Sequence, residues 1–280
     1  MKPDARAGRR LLAISAAGLL VAPGFAVADP WIPPAGTGSV KPMVRLFNAT
    51  RAFAGTGFTT NTVPSSTQTE RQFRVTGVQG LGHGFSLEYD LRFGSISKSK
   101  VKRRHRITNQ AFDLEDEVVG LNYGLTQTRN FADSVTLNVV FPAGAAMANP
   151  QLGTGHWAIE PDYQAGIRFG HGHAVATLAL GDRHFFDSGA NQWRGYFEVG
   201  LSPIHRWTLI GSAFYVRTTG LAANPPVTDL GERYDLLRLG VGVEYELTKV
   251  LHPFIAFEKD IAGQDIHSGR RITIGVSVHY

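Results

Sequence analysis

The chain has 280 residues, a formal net charge of +5 and no cysteine. So modest a charge does not argue for nucleic acid as a partner. An exported chain of this size without a disulfide needs another device to hold it together.

The N-terminus reads as a secretory signal peptide over residues 1–28. Lys2, Arg6, Arg9 and Arg10 make a positive start, and residues 11–22 form an apolar run too short to span a bilayer as a helix. Ala26-Val27-Ala28 supplies the small-x-small pattern for cleavage, which makes Asp29 the first mature residue. Cleavage removes four of the 28 basic and one of the 23 acidic residues, so the net charge falls from +5 to +2. No other apolar run approaches the roughly 18 residues of a transmembrane helix. Two classes remain, a soluble periplasmic β-protein and an outer-membrane barrel.

Beyond a short segment at 29–41, expected to be periplasmic or a small plug, residues 42–280 read as strands. The purest signal is Phe85-Ser86-Leu87-Glu88-Tyr89-Asp90-Leu91-Arg92-Phe93, apolar at odd and polar at even positions. Val135, Leu137, Val139 and Phe141 repeat the pattern, as do Ile159, Tyr163 and Ile167, then Trp193, Phe197 and Leu201. Leu237, Leu239, Val241 and Val243 follow, and Ile272, Ile274, Val276, Val278 and Tyr280 end the chain. With weaker segments added, the strands fall near 42–53, 70–80, 84–94, 115–125, 133–141, 158–169, 173–183, 192–201, 206–217, 233–247, 252–260 and 270–280. The first is poorly patterned. In the ninth, either Trp207 and Leu209 or Ile210 and Phe214 could mark the apolar side.

Many of these strands run about ten residues, against a mode of five or six in soluble proteins, and tilted membrane strands need about nine to eleven. Connections alternate long and short, with 95–114 among the long ones, as outer-membrane barrels require. The predicted fold is therefore all-β: a closed antiparallel up-and-down transmembrane β-barrel of about 12 strands in the outer membrane of a Gram-negative bacterium. Apolar positions face lipid, and polar positions face the lumen.

Several segments resemble one known family. Trp31-Ile32-Pro33-Pro34-Ala35-Gly36-Thr37-Gly38 looks like its opening Trp–Pro–Gly–x–Gly stretch, with Pro-Ala-Gly where the family has Pro-Thr-Gly. Glu115-Asp116-Glu117-Val118-Val119-Gly120-Leu121-Asn122-Tyr123 is similar to its acidic entry to a Gly–x–x–Tyr strand. Phe141-Pro142-Ala143-Gly144, Leu152-Gly153-Thr154-Gly155-His156-Trp157 and Pro161 complete the likeness, which beyond Pro161 is one of strand pattern. These residues resemble the Gram-negative outer-membrane proteins grouped as the MetA-pathway of phenol degradation, or transporter, family. The resemblance implies a barrel that passes small, aromatic or apolar, compounds and has no catalytic signature.

The inward positions on the patterned strands carry both charge signs: Glu88, Asp90, Arg92, Glu160, Asp162, Arg168, Arg194, Glu198, Arg238, Glu244 and Arg271, with Glu246, Glu258 and Asp260. As a set they suggest a solute-selective, porin-like conduit; one by one, each is an ion-pairing residue of a packed interior. The run Lys98, Lys100, Lys102, Arg103, Arg104 and Arg106 offers contacts to lipopolysaccharide phosphates, or is a solvated loop. Expected partners are thus outer-membrane lipid and lipopolysaccharide, a small-molecule solute, and the barrel-assembly machinery through the strand ending at Tyr280. No cofactor and no metal are expected: His171-Gly172-His173 has no carboxylate near it in sequence and reads as a turn. Asp182, His184, Asp187 and Ser188 invite a lipase-like reading, but there is no Gly-x-Ser-x-Gly elbow. A structural or export-accessory barrel is the third class.

Overall fold

The computed structural model describes residues 29–53, 60–61, 66–102, 105–143, 153–170, 173–186, 190–220, 234–264 and 266–280. The signal segment 1–28 lies outside them. In chain order the strands are β1 (Gly38–Phe53), β2 (Thr60–Asn61), β3 (Ser66–Gly82), β4 (Phe85–Lys102), β5 (His105–Leu114), β6 (Glu117–Gln127) and β7 (Phe131–Phe141). They continue with β8 (Ala158–Phe169), β9 (Ala174–Phe185), β10 (Asn191–Ile204), β11 (Trp207–Gly220), β12 (Asp235–Tyr245), β13 (Leu251–Gln264) and β14 (His267–His279).

Twelve of them form one closed antiparallel barrel, each strand beside its sequence neighbour. The ring shuts where β14 pairs with β1, Val40 opposite Val278 and Leu46 opposite Ile272. Closure leaves the ring without an exposed edge, so backbone donors and acceptors are satisfied inside the sheet. Two strands are extras: β2 prolongs the hairpin beside β1, and β5 continues the line of β6. Strand β4 spans both, pairing with β6 through residues 85–90 and with β5 through 93–102.

The wall is apolar outside and polar inside, the inverse of a soluble protein. On β14, Ile272 and Ile274 are 40% and 54% exposed, whereas the alternating Thr273 and Ser277 are 4% and 0%. The same holds on β7, where Leu137 is exposed and Ser134 and Thr136 are buried. One end of the barrel has tight turns. At 82–84 all three residues have positive φ (Gly82 +89°, His83 +52°, Gly84 +81°), a conformation that costs little only where Cβ is absent or the side chain is tolerant. The other end carries the longer connections.

Two expectations change and one open facing is settled. The strand placed at 42–53 begins at Gly38, because Gly38 exchanges backbone bonds with Tyr280 (2.9 and 3.1 Å) as the ring closes. The barrel therefore starts inside the segment assigned to 29–41. Residues 95–114 are not a loop: they complete β4 and form β5, with Ser99 and Thr108 hydroxyls 2.9 Å apart across the hairpin. Dense positive charge obscured a weak alternation, and pairing continues because the strands already lie in register. In the ninth predicted strand, now β11, Trp207, Leu209 and Tyr215 face out while Ile210 is 4% exposed inside. Ile210 lies between Gly200 and Gly242 on the flanking strands and fills the room these glycines leave.

Candidate functional site: a charge-paired lumen and its closure

The lumen holds a cavity of about 370 Å³ on the long-loop side. Alternation aims the even-numbered residues of β4 into it, and the neighbouring strands supply the counter-charges. Asp90 is clasped by Arg74 on β3 (Nε–Oδ1 2.5 Å, Nη2–Oδ2 2.7 Å) and also by Arg92. Glu160 pairs with Arg183 and with Arg194 (3.0 Å). Arg45 reaches Glu258 at 3.2 Å, and Arg238 holds Asp260 at 2.8 Å with Arg271 3.9 Å from the same oxygen. Apart from Arg92–Asp90 within β4, each pair bridges adjacent or nearby strands, and the pairing is what lets so many buried charges persist, since a buried ion without a partner costs several kcal/mol. Neutral amides serve the remaining acids: Asn138 donates to Asp162 (2.6 Å), and Asn122 to Glu88 (2.8 Å).

The cavity wall is not uniformly charged. Phe214 carries the guanidinium of Arg194 at 5.3 Å and that of Arg238 at 5.5 Å from its ring centre. Phe185, Leu236 and Ile266 also line the cavity. Near the long-loop end Val140, Ala158, Phe185 and Ala190 form a buried apolar cluster.

A break between β5 and β6 places three acids at the rim. Asp116 accepts bonds from the Thr154 backbone (2.6 Å) and hydroxyl (2.7 Å), tying the 153–155 segment to the wall. Glu117 accepts from the Arg92 backbone at 2.8 Å. Glu115 accepts from Gln72 at 2.5 Å, and burial together with the neighbouring Glu70 carboxylate pushes its pKa up to about 7. Among the described residues β5 pairs only with β4, so its far edge is unpaired.

At the opposite end the chain's own 29–37 segment enters the lumen, burying Pro30 and Trp31 while Pro34, Ala35 and Gly36 stay exposed. Trp31 is 9% exposed, donates its indole N–H to the Thr128 carbonyl at 3.2 Å and carries Arg168 over its ring at 4.0 Å. It packs with Ala132 on β7 and Val175 on β9. Gln127 accepts from the Ile32 backbone (3.0 Å) and donates to the Pro30 carbonyl (2.8 Å). The segment fits because the wall is bare where it passes. A Cβ at Gly80 would strike the Pro33 and Pro34 carbonyls, and one at Gly166 would come within 2.5 Å of the Trp31 ring.

The eleven residues expected in the lumen are distributed over both regions. Glu88, Asp90, Arg92, Glu160, Asp162, Arg194, Arg238 and Arg271 line the cavity. Arg168 stacks on Trp31, Glu198 accepts a bond from Tyr196, and Glu244 bonds His252 Nδ1 at 3.0 Å. Sequence reasoning missed Arg45, Glu70, Arg74 and Arg183, which also line the cavity. Arg74 was within reach, since Gln72, Arg74 and Thr76 alternate with Phe73 and Val75. Of the basic run, Lys98 is exposed on β4; Lys100 and Lys102 also lie on β4 and Arg106 on β5. Arg103 and Arg104 lie outside the described residues, as do His171, Asp187 and Ser188. His184 Nδ1 is 2.6 Å from Asn191 Oδ1.

Fold and lumen together define a closed twelve-stranded barrel of the membrane-spanning kind, hollow towards one end and entered at the other by its own N-terminal segment. Its architecture is shared with an outer membrane channel from Pseudomonas putida F1, at a TM-score of 0.69 and 13% identity over 93% of this chain and 100% of that one. Looser matches include the KdgM porin (TM-score 0.48, 10% identity, 86% and 99% covered) and the Ralstonia pickettii toluene transporter TbuX (0.47, 9%, 89% and 90%). Neither a family model nor a curated protein matches the sequence.

Proposed function

We propose that the chain is an outer-membrane channel for small solutes, acting as a gated conduit rather than as an enzyme. The observation that carries this reading is a barrel lumen hollow on one side and closed on the other by a segment that belongs to no strand. Among the described residues that segment is held by Trp31, Gln127, Arg168 and Gln79 and by two backbone bonds to Gly80, whereas the wall is held by continuous ladders. The stopper is therefore the part that yields when solute passes. The short-turn end faces the periplasm and the long connections face outwards, as barrels of this kind are built. The mature protein begins after a signal peptide over 1–28 and reaches the membrane through the assembly machinery that reads its last strand.

Apolar faces at Phe214, Phe185 and Leu236 beside arginine–carboxylate pairs suit small aromatic or apolar solutes, in keeping with the resemblance to the phenol-degradation transporter family. Single-channel conductance in planar bilayers, followed by solute competition, tests the proposal. Small, solute-blockable conductance is expected. A chain that stays soluble without detergent, or inserts and never conducts in any variant, overturns it.

A further inference from the structure

On the outer wall, four basic side chains sit together on four adjacent strands: Lys259 on β13, Arg270 on β14, Arg51 on β1 and Arg71 on β3, all exposed. Lys259 and Arg270 are direct cross-strand partners. Arg270 stands opposite Asn48, itself opposite Thr69; Arg51 stands opposite Ser268 one step further along β14, and Arg71 stands opposite Leu46 one step the other way. Two like charges directly opposite each other on a sheet repel. Among the described residues no carboxylate forms an ion pair with any of the four. The acids of the same stretch alternate to the lumen: Glu258 and Asp260 flank Lys259 and are taken by Arg45 and Arg238. The acids of this stretch are thus paired within the lumen, while these four bases stand on the outer face.

The outward positions beneath Lys259, Arg270 and Arg71 are apolar and lipid-facing, whereas beneath Arg51 the outward position is Asn48. One outward step toward the short-turn end lie Phe257 under Lys259, Ile272 under Arg270 and Phe73 under Arg71, with Leu46 between, each at least 40% exposed. An arginine on the lipid face is costly at the midplane and nearly free at the interface, so the basic row marks the headgroup level on the long-loop side. A ligand that fits must place phosphates on the bases and hydrocarbon on the row below. Resting on the outer-membrane reading given above, we propose that this face of β13, β14, β1 and β3 seats the phosphorylated glycolipid of the outer leaflet. Lipid A phosphates would be held by Lys259, Arg270, Arg51 and Arg71, and acyl chains would lie along Phe257, Ile272, Leu46 and Phe73. Lipid-borne phosphate relieves the Lys259–Arg270 repulsion and is bidentate to arginine.

Native mass spectrometry of the detergent-solubilised protein, titrated with bis-phosphorylated lipid A, dephosphorylated lipid A or inorganic phosphate, separates the possible sources. Bis-phosphorylated lipid A should bind, dephosphorylated lipid A should bind at least roughly tenfold more weakly, and inorganic phosphate should not displace the lipid. The combined variant R51Q, R71Q, K259Q and R270Q should lose about the same factor while keeping its heat-modifiable migration and conductance. Equal retention of the two lipids by the wild type overturns the proposal without any variant. Displacement by inorganic phosphate would make this a simple anion site and overturn the lipid seat. A chain that never inserts would sink the channel reading as well, whereas an inserted channel indifferent to lipid phosphate would sink only this one.

Discussion

The two ends of the lumen are closed to different degrees by different physics. On the long-loop side, charged residues are fixed to strands, paired across neighbouring staves, and hold a cavity of about 370 Å³ between them. On the short-turn side, the 29–37 segment enters the lumen and is held by one buried indole, a few amide bonds and contact with glycines. The wall-borne network cannot leave without breaking the sheet, because each charge belongs to a strand. The segment can leave at the cost of only two backbone bonds to the wall, those of Gly36 and Thr37 with Gly80. On the function proposed above, selectivity belongs to the chamber and gating to the stopper.

The strongest way to break this division is to remove the stopper. Deleting residues 29–37 should raise single-channel conductance several-fold with the barrel still heat-modifiable, and an unchanged conductance would move the barrier into the chamber. A gentler version leaves the segment intact and removes its room. Gly166→Val and Gly80→Val each add atoms where Trp31 or the Pro33 and Pro34 carbonyls lie, so both should raise open probability, by less than the deletion. If Gly166→Val alters ion preference instead of gating, the two regions are not separable as described.

On the chamber side, Arg92→Gln, Arg194→Gln or Arg238→Gln should shift the reversal potential in a salt gradient towards cations. The residual carboxylate, Asp90, Glu160 or Asp260, loses a partner in each case. Unchanged potentials in a conducting variant would mean that the arginines lie off the solute path.

The smallest effect concerns the acid rim. Glu115 has its folded pKa raised from 4.5 to about 7 by burial and by Glu70. A raised carboxyl binds its proton more tightly in the folded state, so its contribution to stability is complete below about pH 4.5 and is lost as pH rises through about 7. Wild type should therefore gain thermal stability over Glu115→Gln as pH is lowered from 8 to 5.5. The comparison is the difference in melting midpoint between the two proteins at each pH. A difference that does not change with pH would show that Glu115 is ionised throughout.

How much of this was legible depends on how local each signal is. The facing of β4, β7, β8, β10, β12 and β14 could be read directly, because side chains alternate with period two whatever the partner strand. The cavity set Glu88, Asp90 and Arg92 followed from that alone. The facing of β11 could not, since both of its sides carry apolar residues. Only Gly200 and Gly242 on the neighbouring strands show that Ile210 fits inside. Nor could the extension of β4 into β5, where Lys98 to Arg106 look like a solvated loop until β3 and β4 are in register.

By itself, then, the sequence determined that the chain is built of long amphipathic strands, which faces of the best of them are wet, and that both charge signs lie on those faces. The tertiary structure decided which charge meets which. Arg74 with Asp90, Arg183 with Glu160 and Arg45 with Glu258 are pairings set by register and ring closure, and Arg45 and Glu258 lie 213 positions apart. It also decided that Trp31 enters the lumen, because its seat is assembled from Thr128, Ala132, Gly166, Arg168 and Val175 on parts of the wall distant in sequence. Alternation is written in each strand alone, whereas a seat or an ion pair exists only once several strands share a ring.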